Sequence, residues 1–109
     1  MIPRALLACA IGLTISSATL AKDITIPVPT DSKARYTVLE IRKAEGGLVE
    51  IRTRRDGPSG SSTATRRVDC SGKQFAYTED DGSPVTEPLT PLVTGSISYY
   101  VSEYACSKR

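Results

Sequence analysis

Five arginines bracket a tract of small and polar residues in RTRRDGPSGSSTATRR, residues 52–67. Arginine presents a rigid fork of N–H donors to oxyanions, so anion binding is the first chemistry this stretch suggests. Hydrolytic and transfer chemistry have less to work with. The chain has no histidine, the side chain most used as a general base. It has many serines but no G-x-S-x-G nucleophile elbow. The acidic run Glu79, Asp80, Asp81 offers oxygen ligands for calcium. It lacks the spaced oxygens and the glutamate at the twelfth position of an EF-hand loop, and reads as solvated turn residues. These residues point to a non-enzymatic protein with no catalytic, metal or cofactor site.

The cysteines speak to address. The chain opens MIPRALLACAIGLTISSATLA, with Arg4, an apolar run and then small polar residues. That is the order of a secretory signal peptide over residues 1–21, with cleavage between Ala21 and Lys22. The apolar run is shorter than the roughly 20 residues of a bilayer-spanning helix, and an integral membrane protein is not expected. Cys9 lies inside this run rather than after it, and reads as a signal-peptide residue rather than a lipid carrier. Export then leaves Cys70 and Cys106 in an oxidising compartment. With no histidine, no third cysteine and no C-x-x-C spacing, a metal or redox pair is disfavoured. A Cys70–Cys106 disulfide is the expected outcome.

The chain of 109 residues allows one domain. Residues 22–34 carry Pro27 and Pro29, which suits an N-terminal arm or an edge strand. Residues 35–109 form a single α+β domain. Alternating Thr37, Leu39, Ile41 and Val49, Ile51, Thr53 predict two strands around the turn signal Glu45-Gly46-Gly47. Leu39, Ile41, Val49 and Ile51 would face the core. A loop over 56–62 leads to a third strand from about Thr63 to Cys70. A fourth, 74–78, puts Phe75 and Tyr77 on one face. Pro84, Pro88 and Pro91 make the next stretch an extended surface connection.

At the end, Ile97, Tyr100, Val101 and Tyr104 recur at helical spacing behind Ser96 as N-cap. Tyr100 and Tyr104 read as core contacts, with Tyr99 at the margin. The expected architecture is an antiparallel meander of about four to six strands, with a C-terminal helix tied to the sheet by the disulfide.

On this frame Arg52 and Arg54 alternate outward with Glu50, and Arg67 outward with Asp69. Arg52, Arg54 and Arg67 would make one basic patch, with Glu50 and Asp69 as cross-strand partners. The formal net charge of +2 falls to +1 once Arg4 is removed, and no aromatic stands between Tyr36 and Phe75. A nucleic-acid surface shows a larger charge excess and interleaved aromatics, so no nucleic-acid partner is expected. The patch reads first as a charged, edge-protecting sheet face, and second as a site for an acidic protein or an acidic envelope or host component.

The C-terminal part carries a resemblance. Val68-Asp69-Cys70, Tyr77, Asp81-Gly82, Gly95-Ser96 and Cys106, with GGLVEIRTRRD upstream, make the chain similar to the surface-adhesin protein E family of Gram-negative bacteria. Members pair a strand-end cysteine with one in a C-terminal helix. They often carry a Trp before that helix, and this chain has none. The resemblance implies an exported binding protein of the cell envelope that meets host extracellular protein. It transfers no binding residue. The location expected is periplasmic or secreted, with outer-surface display open. The alternatives are a periplasmic inhibitor or envelope-stress factor, or a small structural subunit of an envelope complex.

Overall fold

The computed structural model describes residues 24–109. The expected signal peptide at 1–21 and the expected cleavage pair Ala21 and Lys22 lie outside the described residues. The fold is α+β. An antiparallel sheet is built from β1 (Ile24–Ile26), β2 (Arg35–Lys43), β3 (Val49–Gly57), β4 (Gly60–Asp69) and β5 (Gln74–Asp80). These neighbour one another in chain order. Two short strands, β6 (Ser83–Pro84) and β7 (Thr90–Pro91), share the outer edge of β5. One helix, α1 (Ile97–Ser107), closes the chain and packs on β3 and β4. The expected meander and helix are both present.

Local chemistry accounts for the turns. Gly46 and Gly47 sit at φ 71° and 78° between β2 and β3, backbone that glycine adopts without steric cost. The arm is an edge strand: β1 pairs with Tyr36–Val38 of β2. Pro27 then breaks the ladder and Pro29 starts a 3-10 turn to Asp31. The loop expected over 56–62 is much tighter. Gly57 pairs with Gly60, so only Pro58 and Ser59 lie between the strands.

Two one-residue bulges reset the alternation. In β2 the register shifts between Val38 and Glu40, so Leu39 is the extra residue. It is 39% exposed, not a core residue as the alternation suggested. Val38, before the bulge, packs on the core in its place, and Ile41, after it, stays there. In β5 Thr78 is the extra residue, since Arg66 pairs with Tyr77 while Thr65 pairs with Glu79.

The core forms where α1 crosses the sheet: Ile26, Tyr36, Val49, Ile51, Val68 and Val101 are all buried. Each fully buried aliphatic contributes roughly 1.5–3 kcal/mol of transfer free energy. The helix presents a face rotated from the expected one. Its buried residues are Ser98, Val101, Ser102 and Ala105, while Ile97, Tyr100 and Tyr104 flank this row and pack against the core's edge. Small side chains under the helix axis let its backbone approach the strands closely, and the larger rings seal the sides. Ser96 caps the first turn, its Oγ accepting from the Tyr99 N–H at 3.1 Å.

Cys70, just past the end of β4, is bonded to Cys106 in α1, with Cα atoms 5.7 Å apart. Their separation is 36 residues. A loop of that size stabilises by about 4 kcal/mol in the chain-entropy treatment. The double variant C70S/C106S is therefore expected to lose about 4 kcal/mol in urea unfolding relative to the oxidised chain, with native signals retained without denaturant only if the core suffices alone.

Candidate functional site

The two faces of the β3–β4 hairpin carry different arginines. Arg52, Arg54 and Arg67 share the outer face, as their alternation with Ile51, Thr53 and Val68 requires. Each meets different surroundings. Arg52 Nε lies 3.3 Å from Glu79 Oε1, and Arg54 Nε 3.0 Å from Asp56 Oδ2. Arg67 makes no ion pair among the described residues, and its Nε is buried without a hydrogen-bond partner.

The expected partners of this patch are engaged elsewhere. Glu50 stands opposite Arg67 but accepts from Arg42 Nη2 at 2.8 Å. Asp69 Oδ1 accepts from the Gly72 N–H at 3.0 Å. The outer face is thus a hydrated lattice of ion pairs, each worth little on its own.

Glu79 is the centre of that lattice. Burial alone would raise its pKa. Hydrogen bonds donated by the Thr65 hydroxyl, the Gly82 N–H and the Thr63 hydroxyl, with the charge of Arg52, outweigh burial and hold the carboxyl at about 2. The run 79–81 does not converge on a cation: Glu79 is bound to these donors, Asp80 pairs across from Ala64 on the other face, and Asp81 Oδ1 accepts from the Thr63 N–H at the turn. Among the described residues no three of His, Cys, Asp and Glu form a metal-holding group.

The inner face holds Arg55 and Arg66, which the outward pattern passed over. Both fall on the parity of Ile51, Thr53 and Val68, and a charged residue on an apolar parity was the available signal. Beyond the N-terminal end of α1 the helix no longer covers the sheet. A cleft of about 470 Å³ opens there, lined by Tyr36, Arg55, Thr63, Arg66, Tyr77 and Ile97, among others.

Arg55 is neutralised in place. Its Nε donates to Asp31 Oδ2 at 2.9 Å, and Tyr36 OH donates to the same oxygen at 2.7 Å. The Arg55 and Tyr36 hydrogen bonds hold the Asp31 carboxyl below its usual range. Burial, then the hydrogen bond to Asp31, pushes the Tyr36 phenol up.

Arg66 is different. It is 4% exposed, yet its contacts are neutral. Nε donates to Ser98 Oγ at 2.9 Å, Nη1 reaches Thr53 Oγ1 at 3.4 Å, and Nη2 donates to Tyr77 OH at 3.2 Å. The guanidinium carbon stands 4.8 Å from the centre of the Tyr77 ring, a cation–π placement. No carboxylate lies within ion-pair distance of Arg66 among the described residues.

The bulge at Thr78 decides which acid stands on this face. In a regular ladder Glu79 would share the face of Tyr77, opposite Ala64. The extra residue turns Glu79 outward and puts the shorter Asp80 opposite Ala64, where it makes no ion pair with Arg66. A buried charge without a counter-ion costs several kcal/mol, and arginine does not escape by losing its proton.

Two outcomes follow. Glu79 titrates at about 2 in the folded chain and near 4.5 when free. Its contribution to stability is full above pH 4.5 and is lost as pH falls through about 2. The urea midpoint is expected to drop across that window, and to drop less in Glu79→Gln. Arg66→Met is expected to be neutral or stabilising, because it removes an uncompensated buried charge at similar volume. A loss above about 2 kcal/mol in urea unfolding would show instead that the hydroxyl network requires the guanidinium.

Comparison with family models, with curated proteins and with solved structures finds no match for this chain in any of the three, so the role of the cleft has to be read from its own geometry.

Proposed function

We propose that this chain is an exported, non-catalytic binding module of the cell envelope, in the manner of the surface-adhesin protein E domains it resembles, and that the inner-face cleft is its binding element. The observation that carries the reading is Arg66: a buried guanidinium, opening on a cleft, with hydroxyl partners and no carboxylate within ion-pair distance among the described residues. A fold that keeps such a charge at a cost in stability has placed it for an incoming acidic group. Two further features support the reading. The Cys70–Cys106 disulfide suits an oxidising compartment, and no helix among the described residues is long and apolar enough to cross a membrane. Of the outer arginines, Arg52 and Arg54 are paired with Glu79 and Asp56, and Arg67, which has no ion pair among the described residues, stands opposite Glu50; the cleft is the stronger anion site because Arg66 is the more deeply buried charge.

Intact-mass measurement on the chain recovered from the producing cell tests export. The expected product begins at Lys22 and lacks two hydrogens for the disulfide. A product beginning at Met1 with free thiols would overturn the exported reading.

The binding element is tested by capture from envelope and host-matrix extracts on immobilised wild type, Arg66→Met and the triple variant R52Q/R54Q/R67Q. The cleft reading expects partners lost with Arg66→Met and kept by the triple variant, which should stay folded with at most a small fall in its urea midpoint where Arg52 no longer pairs with Glu79. The reverse pattern would move the function to the outer face.

A further inference from the structure

We infer that the inner-face cleft takes a monoanionic acidic sugar, a saccharide unit bearing one carboxylate, with that carboxylate on Arg66. The inference rests on the cleft being the binding element.

The charge count comes first. Of the two arginines in the cleft, Arg55 is matched by Asp31 at 2.9 Å, while Arg66 makes no ion pair among the described residues. The other two acids of the lining, Asp80 and Glu87, are exposed, so the unmatched charge in the buried part of the cleft is the one positive charge of Arg66. Donor capacity agrees. A guanidinium has five N–H groups; Ser98, Thr53 and Tyr77 accept one each. Two remain, one on each terminal nitrogen. A planar carboxylate offers two oxygens to such a pair, the geometry in which arginine binds most tightly.

The mouth of the cleft restricts the anion further. Asp80 and Glu87 are exposed and line it, and Glu87 Oε1 is fixed by the Tyr77 N–H at 3.2 Å. Two exposed carboxylates in the lining repel any anion, and a dianion such as a phosphate monoester about twice as strongly as a monoanion. The same carboxylates accept hydrogen bonds from hydroxyl groups. A ligand with one buried negative charge and several outward hydroxyls fits this arrangement.

The remaining walls are mixed in the way a sugar ring requires. Ala64, Val85 and Ile97 offer apolar surface to the C–H face of a ring, and Ser62 offers a hydroxyl. The volume of about 470 Å³ lies within the roughly 300–1,000 Å³ of small-molecule sites.

Galacturonate and its dimer are the probes, titrated by calorimetry into the full oxidised chain, with galactose and inorganic phosphate as comparisons. The expected result is galacturonate binding at least about tenfold tighter than galactose or phosphate, the discrimination of one charge-assisted hydrogen-bonded pair. Arg66→Met should abolish that preference, and R52Q/R54Q/R67Q should keep it.

Should Arg66→Met fail to fold, the wild type supplies the test through ¹⁵N NMR of arginine side chains. The Arg66 Nε–H signal should shift on galacturonate addition while those of Arg52 and Arg54 stay in place. Equal binding of galactose, phosphate binding as tight as galacturonate, no galacturonate binding, or a preference that survives Arg66→Met would each overturn the inference. The capture experiment with Arg66→Met decides separately on the cleft. Partners lost there, with no galacturonate binding here, would keep the cleft and discard the sugar.

Discussion

Ile51, Val68, Val101 and Ala105 meet with no measurable exposure, and the rest of the molecule is arranged around that contact. A sheet with one apolar patch is not a stable object in water until something covers it. Here an eleven-residue helix does so, and its short side chains set how close it can come. Ser98, Ser102 and Ala105 face the strands, so the helix sits low, and Tyr100 and Tyr104 fill the margins. The disulfide holds the far end of α1 to the end of β4. At the near end the helix stops short of the hairpin tip, and Ser98 meets Arg66 across the boundary. The dry core and the open cleft are thus two halves of one sheet face, divided by where the helix begins.

Much of this was legible in residues alone. The disulfide followed from the two cysteines outside the expected leader, the hairpin from alternation around Gly46 and Gly47, and the helix from Ile97, Tyr100, Val101 and Tyr104 behind Ser96. The errors share a cause. Pattern reading treats hydrophobicity as the mark of an inward residue, and treats alternation as unbroken. Leu39 was assigned inward because nothing in its own side chain marks a bulge; the extra residue is decided by pairing with β3. The buried stripe of α1 was missed because serine reads as polar, while close packing selects it for size. Arg55 and Arg66 were passed over because a basic tract invites an outward reading, although their parity matched Ile51 and Val68. Partners that depend on side-chain reach were also beyond a pattern: Glu50 chose Arg42, and Asp69 chose the Gly72 backbone.

The two faces treat the same residue type in opposite ways. Outside, arginine is held by Glu79, Asp56 and Glu50 in pairs that water screens. Inside, one arginine is matched by Asp31 and the next is left to hydroxyls and a tyrosine ring. Stability alone would not favour the second arrangement, since an apolar side chain of like volume would serve the fold as well or better.

The bulge at Thr78 reaches beyond local geometry. It adds no charge and removes none, yet it decides on which side of the sheet Glu79 stands. With the bulge Glu79 stands outside, opposite Thr65, and Asp80 inside, opposite Ala64; in an unbulged register of the same chain Glu79 would take the inner place and Asp80 the outer one. The shift swaps a longer acid for a shorter one on the face of Arg66, so the reach of a carboxylate towards that arginine is set by pairing register, which a tally of charged residues does not record.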